Sequence, residues 1–333
     1  MNRYVRQQIL PQVGPAGQRK IREAHVLVVG AGALGCASLP YLCGAGVGRL
    51  TVVDGDVVER SNLHRQTLFG EASIGRFKAL AACDVLSDLN PEVQIVPITQ
   101  PVNPSNATAL VNAADVVLDC ADSFALTYLL SDVCLERARP YISASVRGFT
   151  GYAGGFCGKA PSVRAVFPEL PSDFGTCATD GVMGPVAGMF GMLQAQMALS
   201  VLLDLSPSPL GQLVTMDLVP YLFRSFRFDE APEPTSPPIP FVATAGLSDQ
   251  DLIIELRTEQ EAPIPVHPRA LRIPSPTFDH TRLTPLPEQR VVLCCRSGVR
   301  AWRAAKVLRV YWNGPIALLA TGANPEPIAG RSQ

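Results

Sequence analysis

The sequence predicts an α/β protein with a doubly wound, Rossmann-like, mostly parallel sheet, followed by a smaller α/β unit. Three observations predict it. Short apolar runs alternate with helical stretches over residues 25–143, which implies parallel strands joined by crossover helices. A Gly30-x-Gly32-x-x-Gly35 turn stands between the first run and the first helix. Eighteen of the 30 prolines fall after residue 204, densest over residues 231–240 (APEPTSPPIP), where neither a helix nor a central strand can continue.

Taken in order, residues 25–29 (HVLVV) read as a buried strand, and the glycine turn leads into a helix reaching about Cys43. Residues 50–53 form a second strand ended by Asp54, and residues 76–88 carry helical periodicity. Residues 94–98, 116–118 and 141–143 read as further strands. Between Asp180 and Asp204 lie 23 residues without a charge, long enough to span a bilayer. Four glycines, Pro185, Gln194, Gln196 and the lack of a basic flank favour a buried or interfacial helix instead. These boundaries predict a first domain over residues 1–230, a Pro-rich linker over 231–246 and a second domain over 247–333. In the last, residues 252–256 and 290–294 read as strands and 298–310 as a helix.

Composition narrows the function. The 333 residues are 47 % apolar and carry a net charge of −1, which supports packed cores and argues against nucleic acid or an anionic membrane as partner. Nine scattered cysteines do not make a disulfide scaffold, and the polar start MNRYVRQQIL has no signal core, so reduced thiols in the cytoplasm are expected. Four histidines without helical pairing argue against a His-rich metal site.

The glycine turn suits phosphate: the backbone can approach closely, and the following helix offers free N–H groups. Asp54, 19 residues after Gly35, can accept from ribose hydroxyls. Alone, this pattern indicates a nicotinamide or flavin enzyme. Asp56, Ser61, Asn62, Arg65, Gln66 and Lys78 shift the reading. A redox cofactor does not need such a cationic group, whereas the charge that builds on a triphosphate during attack does. Asp122, after the strand ending in Asp119-Cys-Ala, suits either Mg²⁺ or the N-cap of the helix starting near Phe124.

These residues, with Arg3-Tyr-Val-Arg6-Gln7, Asn90-Pro91 and Gly181-Val-Met-Gly-Pro185, resemble the ThiF/MoeB/HesA family, bacterial relatives of ubiquitin-activating enzymes. The resemblance runs from about residue 2 to residue 228. It implies ATP- and Mg²⁺-dependent adenylation of the C-terminal glycine of a ubiquitin-like sulfur carrier, by a homodimer. Gly30, Gly32, Ala33 and Gly35 would cradle the nucleotide, and Asp54 would bind ribose. Asn62, Arg65 and Lys78 would contact phosphates, and Asp122 would organise Mg²⁺. Arg6 would reach into the neighbouring subunit's site.

Two departures stand out, and one cysteine matches. Many members hold a structural zinc with two C-x-x-C pairs. Here Ser162 and Ala165 stand in the first pair's place, and residues 229–238 contain no cysteine, so no zinc is expected. Ser123 replaces an asparagine common beside the metal-binding aspartate. Cys177 lies where family members place a mobile-loop cysteine; covalent chemistry and an inert thiol both remain open. The other cysteines of this region (Cys36, Cys43, Cys83, Cys120, Cys134, Cys157) read as core packing.

Near the C-terminus, Cys295-Arg296-Ser297-Gly298-Val299-Arg300 follows a strand and opens a helix, a setting that favours thiolate through backbone N–H groups, the helix dipole and Arg300. The motif resembles the persulfide loop of rhodanese-like sulfurtransferases. An upstream sulfur donor would then load Cys295. Cys294, one position earlier on the strand, is expected to point away and be buried. The expected activity is carrier adenylation followed by sulfur transfer to give a thiocarboxylate. The alternatives are adenylation with a degenerate rhodanese module, a non-enzymatic scaffold for a ubiquitin-like partner, and a nicotinamide-dependent oxidoreductase.

Overall fold

The computed structural model describes residues 2–169, 181–278 and 281–322. The chain divides into two compact units. One comprises Met1–Val102, Asn106–Asp122 and Leu130–Glu233; the other comprises Asn103–Ser105, Ser123–Leu129 and Pro234–Gln333.

In the first unit, β1 (His25–Val29), β2 (Arg49–Val53), β3 (Gln94–Ile98) and β4 (Val116–Asp119) are parallel, and β5 (Pro140–Arg147) continues them. The central runs are apolar on both faces because helices cover both sides. Their register sets Val29 beside Val53 and Asp119, so these strands end together. The strand order β3-β2-β1-β4-β5 reverses direction at β1/β4. The sheet then runs on antiparallel through β6 (Thr150–Cys157), β7 (Gln212–Asp217) and β8 (Leu222–Arg227). The sequence reading had none of these three. Every β8 side chain is exposed, so no apolar alternation marks it.

The helices of this unit are α1 (Val5–Gln8), α2 (Gly14–Glu23), α3 (Ala33–Ala45), α4 (Lys78–Leu89), α5 (Ala107–Asn112), α6 (Phe124–Glu136), α7 (Val163–Val166) and α8 (Gly184–Leu202). Helix α6 starts in residues grouped with the second unit. Helix α8 is the charge-free segment, and by length and composition it could cross a membrane. In this fold it lies on the sheet and against α3, burying Val186, Phe190, Ala195 and Met197. A Cβ on Gly191 would strike the Leu34 carbonyl, so this small residue permits the close α3–α8 contact.

The second unit is a four-stranded parallel sheet of order β10-β9-β11-β12, built from β9 (Leu252–Glu255), β10 (Leu271–Arg272), β11 (Val291–Cys295) and β12 (Ile316–Ala320). Its helices are α9 (Ser275–Phe278) and α10 (Val299–Arg309). Part of the expected linker belongs to this sheet. Leu318 N–H donates to the Pro240 carbonyl at 2.9 Å, and Val242 N–H donates to the Leu318 carbonyl at 2.8 Å. Proline lacks a donor but keeps its acceptor, so Pro240 can join a sheet edge; Phe241 is buried there.

Candidate functional site

The carboxyl ends of β1 and β4 diverge at the topological switch point, where open α/β sheets leave a ligand crevice. Gly30 leaves β1 at φ +99°, and a Cβ there would stand 2.7 Å from the Cys120 carbonyl. A Cβ on Gly35 would strike the Gly30 carbonyl. These two glycines thus serve the tight turn and the packing of α3. Gly32, the N-cap of α3, is different: around its missing Cβ the nearest atom is Gln66 Nε2 at 4.0 Å, which leaves backbone open to a ligand. Ala33 opens α3.

Asp54 follows β2. Its Oδ2 accepts the Ala31 N–H at 2.7 Å and its Oδ1 accepts the Asp56 N–H at 2.8 Å. Burial pushes the Asp54 carboxyl up, while the Lys78 charge and the two N–H donors oppose that shift. Lys78, the first residue of α4, is buried to 7 % exposure, with its ammonium 3.0 Å from the exposed Asp56 carboxylate. A buried cation thus sits beside two carboxylates near the glycine turn.

The cationic loop closes on itself. Asn62 Oδ1 accepts the Glu59 N–H at 3.2 Å, Ser61 Oγ donates to Glu59 at 3.2 Å, and Arg65 Nη1 donates to the Ser61 carbonyl at 3.0 Å. A Cβ on Gly184 would stand 2.7 Å from the His64 carbonyl, so the start of α8 packs under Arg65. Gln66 is only 4 % exposed, yet its Oε1 accepts no hydrogen bond. A buried amide oxygen left unpaired costs roughly 1–3 kcal/mol. An orphan acceptor beside the open backbone of Gly32 fits the hydroxyl or amino donors of a nucleotide.

The Asp119 carboxylate is fully buried and accepts from Tyr141 Oη at 2.7 Å, Ser143 Oγ at 3.1 Å and the Ala121 N–H at 3.2 Å. Gln194 of α8, also fully buried, donates to the Asp119 carbonyl at 2.6 Å. This network fixes the end of β4 and the turn that carries the exposed Asp122. Tyr141, Ser143 and Gln194 had no motif to announce them. Ser123 follows Asp122, and its carbonyl accepts the Thr127 N–H at 3.0 Å at the start of α6. Cys177 lies outside the described residues. Arg6 is exposed on α1. That helix is anchored by Arg3, which donates to the Leu89 carbonyl at 2.7 Å, and by Tyr4, whose hydroxyl accepts from Asn90 at 3.0 Å.

With that geometry described, comparison with known proteins is informative. The model of the ThiF family matches residues 4–237. The chain belongs to the ThiF family. It is 44 % identical to the adenylyltransferase and sulfurtransferase MOCS3 of Bos taurus, over 68 % of this chain and 50 % of that protein. It is 41 % identical to the adenylyltransferase and sulfurtransferase uba4 of Aspergillus fumigatus, over 68 % and 49 %. The chain thus spans about half the length of these curated relatives. It is 38 % identical to the SAMP-activating enzyme E1 of Haloferax volcanii, over 74 % of this chain and 90 % of that protein. Among solved structures, Escherichia coli MccB with AMPCPP and MccA superposes with a TM-score of 0.60 at 23 % identity, over 69 % and 73 %. That match supports the fold.

Ser162 and Ala165 stand where many ThiF-family members carry the first cysteine pair of a zinc site. No group of three or more His, Cys, Asp or Glu side chains converges among the described residues. The two segments that carry the cysteine pairs elsewhere are joined by hydrogen bonds. Ser162 donates from N–H and from Oγ to the two Glu233 carboxylate oxygens, each at 2.6 Å. The same Oγ caps α7 by accepting the Arg164 N–H at 3.1 Å. Arg164, nearly buried, is paired bidentately with Asp132 at 2.6 and 2.8 Å. Chelation with EDTA is therefore expected to leave Tm unchanged. Ser162→Ala, which loses the cap and the Oγ bond to Glu233 but keeps the backbone N–H bond, should lower stability by about 1–3 kcal/mol in thermal unfolding. A drop in Tm on chelation would count against the clip.

In the second unit, Cys295 ends β11, and its Sγ accepts the Gly298 N–H at 3.2 Å and the Ala301 N–H at 3.3 Å. The loop thus cradles the sulfur, with Gly298 at φ +83° making the turn into α10 and Val299 opening that helix. The expectation of a thiolate needs correction. Burial raises the thiol, outweighing the Ala301 N–H, the Arg300 charge and the Gly298 N–H, which all lower it. Arg300 is also paired, bidentately, with Glu261 at 2.9 and 2.8 Å. The neighbouring Arg296 carbonyl accepts the Gly322 N–H at 2.9 Å. Ser297 follows Arg296 and is half-buried. Cys294 is buried as expected, with its Sγ 3.8 Å from Glu255. Eight free cysteines lie among the described residues. Burial pushes Cys43 up to about 11 and Cys36 and Cys157 up to about 12, so these thiols are inert packing.

Proposed function

We propose that this chain adenylates the C-terminal glycine of a ubiquitin-like sulfur-carrier protein with ATP, and that Cys295 then delivers persulfide sulfur to give a thiocarboxylate. The observation that carries the first half is the switch-point constellation. Open backbone at Gly32, the orphan Gln66 Oε1 and the buried Lys78 beside Asp54 and Asp56 suit a nucleotide polyphosphate. The names of the relatives in cattle, Aspergillus and Haloferax support the reading.

The carrier carboxylate is already ionised at neutral pH, so attack on the α-phosphorus needs positioning and charge stabilisation rather than a general base. A carboxylate oxygen bonds to phosphorus, the bond to the bridging oxygen breaks, and pyrophosphate leaves. Asp54 receives the ribose hydroxyls. Asn62, Arg65 and Lys78 neutralise the phosphate oxygens, with Arg65 exchanging its Ser61 contact for the ligand. Asp122 would hold Mg²⁺, which adds positive charge at the phosphates. Persulfide sulfur on Cys295 attacks the carbonyl carbon and AMP departs; a thiol reductant then cleaves the sulfur–sulfur bond to free the thiocarboxylate. An upstream donor reloads Cys295. Keeping both activities on one chain raises the effective concentration of sulfur. In this reading the protein is a cytoplasmic homodimer that uses ATP and Mg²⁺ and no zinc, and Arg6 completes the partner subunit's site.

The test is exchange of labelled pyrophosphate into ATP with the carrier and Mg²⁺ present. Arg6→Ala and Asp122→Ala should each abolish it. Mixing the two inactive proteins should restore about a quarter of wild-type activity, because half of randomly re-paired dimers carry one intact site. Exchange retained in Asp122→Ala would remove its metal role, and no recovery on mixing would remove Arg6 from the partner's site.

A further inference from the structure

The guanidinium that should help Cys295 is already engaged. Arg300 stands at the end of the Cys295 loop, in the first turn of α10, and both terminal nitrogens bind Glu261. Glu261 is itself fixed from its own loop. Its Oε2 accepts the Thr258 N–H at 2.9 Å, and its N–H donates to Thr258 Oγ1 at 3.2 Å. That loop follows β9, and Arg272 ties it down through the carbonyls of Arg257, Thr258 and Ala262 at 2.7–2.9 Å. The pairing is therefore held from both sides rather than formed by two free surface side chains.

The charges around the sulfur leave few other sources of selectivity. Arg257, at the end of β9, is matched to the buried Glu255 at 2.8 and 2.6 Å. Cys294, the neighbour on β11, is a buried neutral thiol, and burial raises it. Arg300 and Arg257 are both within electrostatic reach of the Cys295 sulfur; Arg300 lowers its thiol, and Glu261 compensates Arg300 as Glu255 compensates Arg257.

Resting on the sulfur-transfer reading above, we propose that Glu261 is a positioning residue that gates Cys295 for anions. It holds Arg300 in the resting loop and yields it to an anionic sulfur donor. The bound anion then takes the guanidinium near the sulfur. Cys295 thus stays a buried thiol, protected from stray electrophiles, until a donor of the right charge arrives. Protons do not open the gate at neutral pH. The Arg300 ion pair holds the Glu261 carboxyl at about 2 against an ordinary 4.5. Its stabilisation is fully present above about 4.5 and fades only as pH falls toward 2.

The full-length protein can be tested with two reagents of similar size, anionic iodoacetate and neutral iodoacetamide, reading Cys295 alkylation by peptide mass spectrometry. Their rate ratio cancels the opening of the loop and reports charge alone. In Glu261→Gln the iodoacetate-to-iodoacetamide ratio should rise about tenfold over wild type, the effect of one uncompensated charge near the sulfur. Adding Arg300→Ala to that variant should abolish the rise. Equal acceleration of both reagents would make Glu261 a plain lid and overturn the proposal, as would an unchanged ratio. Failure of wild-type Cys295 to take labelled sulfane sulfur from thiosulfate would instead strike the sulfur-transfer reading, a result the alkylation ratio does not depend on.

Discussion

Lys78→Ala should reduce carrier-dependent pyrophosphate exchange by about 10²–10³-fold, the range seen when one preorganised charge-stabilising group is removed from a reaction centre. Lys78 is 7 % exposed and opens α4, so its ammonium is placed by a helix terminus and not by a flexible loop. It lies 3.0 Å from Asp56 and lowers the Asp54 carboxyl against the effect of burial. Removing it therefore has two consequences. The phosphates lose a cation held in a low-dielectric setting, where charge interactions are stronger than in water. Asp54, already raised by burial, moves further toward the protonated form and becomes a poorer acceptor for ribose. The second effect has a signature of its own. A raised Asp54 should make residual activity climb with pH over a range where the wild type is flat, and the pH profile of kcat/KM for ATP would show it. Circular dichroism should match wild type, since α4 buries Ala79, Ala81, Ala82 and Leu86 without help from Lys78. Near-normal exchange in a folded Lys78→Ala protein would remove the nucleotide reading from this crevice.

The parallel half of the first sheet was legible because its strands are apolar on both faces and each ends in a residue with a distinctive job. Gly30 and Asp54 mark the ends of β1 and β2, and Asp119 closes β4. The antiparallel half was not legible. All of β8 is exposed, and β6 is rich in glycine, so periodicity has nothing to report. The site followed the same logic. Residues suited to a nucleotide are constrained in type and spacing, so Gly32, Asp54, Arg65 and Lys78 stand out in the chain as candidates. Which carboxylate faces the crevice could not. Asp119 and Asp122 share one motif, and only the Tyr141 and Ser143 hydroxyls, distant in sequence, show that the first is consumed in the core. Glu261 is an acidic residue in a loop, and nothing in its neighbourhood announces a partner 39 residues away. Long-range pairing of this kind is decided by the fold. The same holds for Ser162 and Glu233, 71 residues apart.

Cys295→Ala should abolish thiocarboxylate formation on the carrier while leaving pyrophosphate exchange at the wild-type rate. In the proposed reading the two activities use residues of different compact units, with Cys295 in one and Lys78 and Asp54 in the other. The substitution removes one buried sulfur. It leaves the Gly298 and Ala301 N–H groups without the sulfur that accepts from them. The resulting loss of stability, about 1–3 kcal/mol for unpaired buried donors, is confined to the second unit. Intact mass of the carrier discriminates the outcomes: replacement of oxygen by sulfur at its C-terminus adds about 16 Da, and the variant should give none. Thiocarboxylate formed at the wild-type rate by Cys295→Ala would move the sulfur-bearing group elsewhere in the chain. Cys294 is the poorest substitute, since burial beside Glu255 raises its thiol. Loss of exchange as well would mean that the two units are coupled in catalysis. Adenylation would then depend on the state of the Cys295 loop, and the order of the two steps would have to be read from the persulfide first.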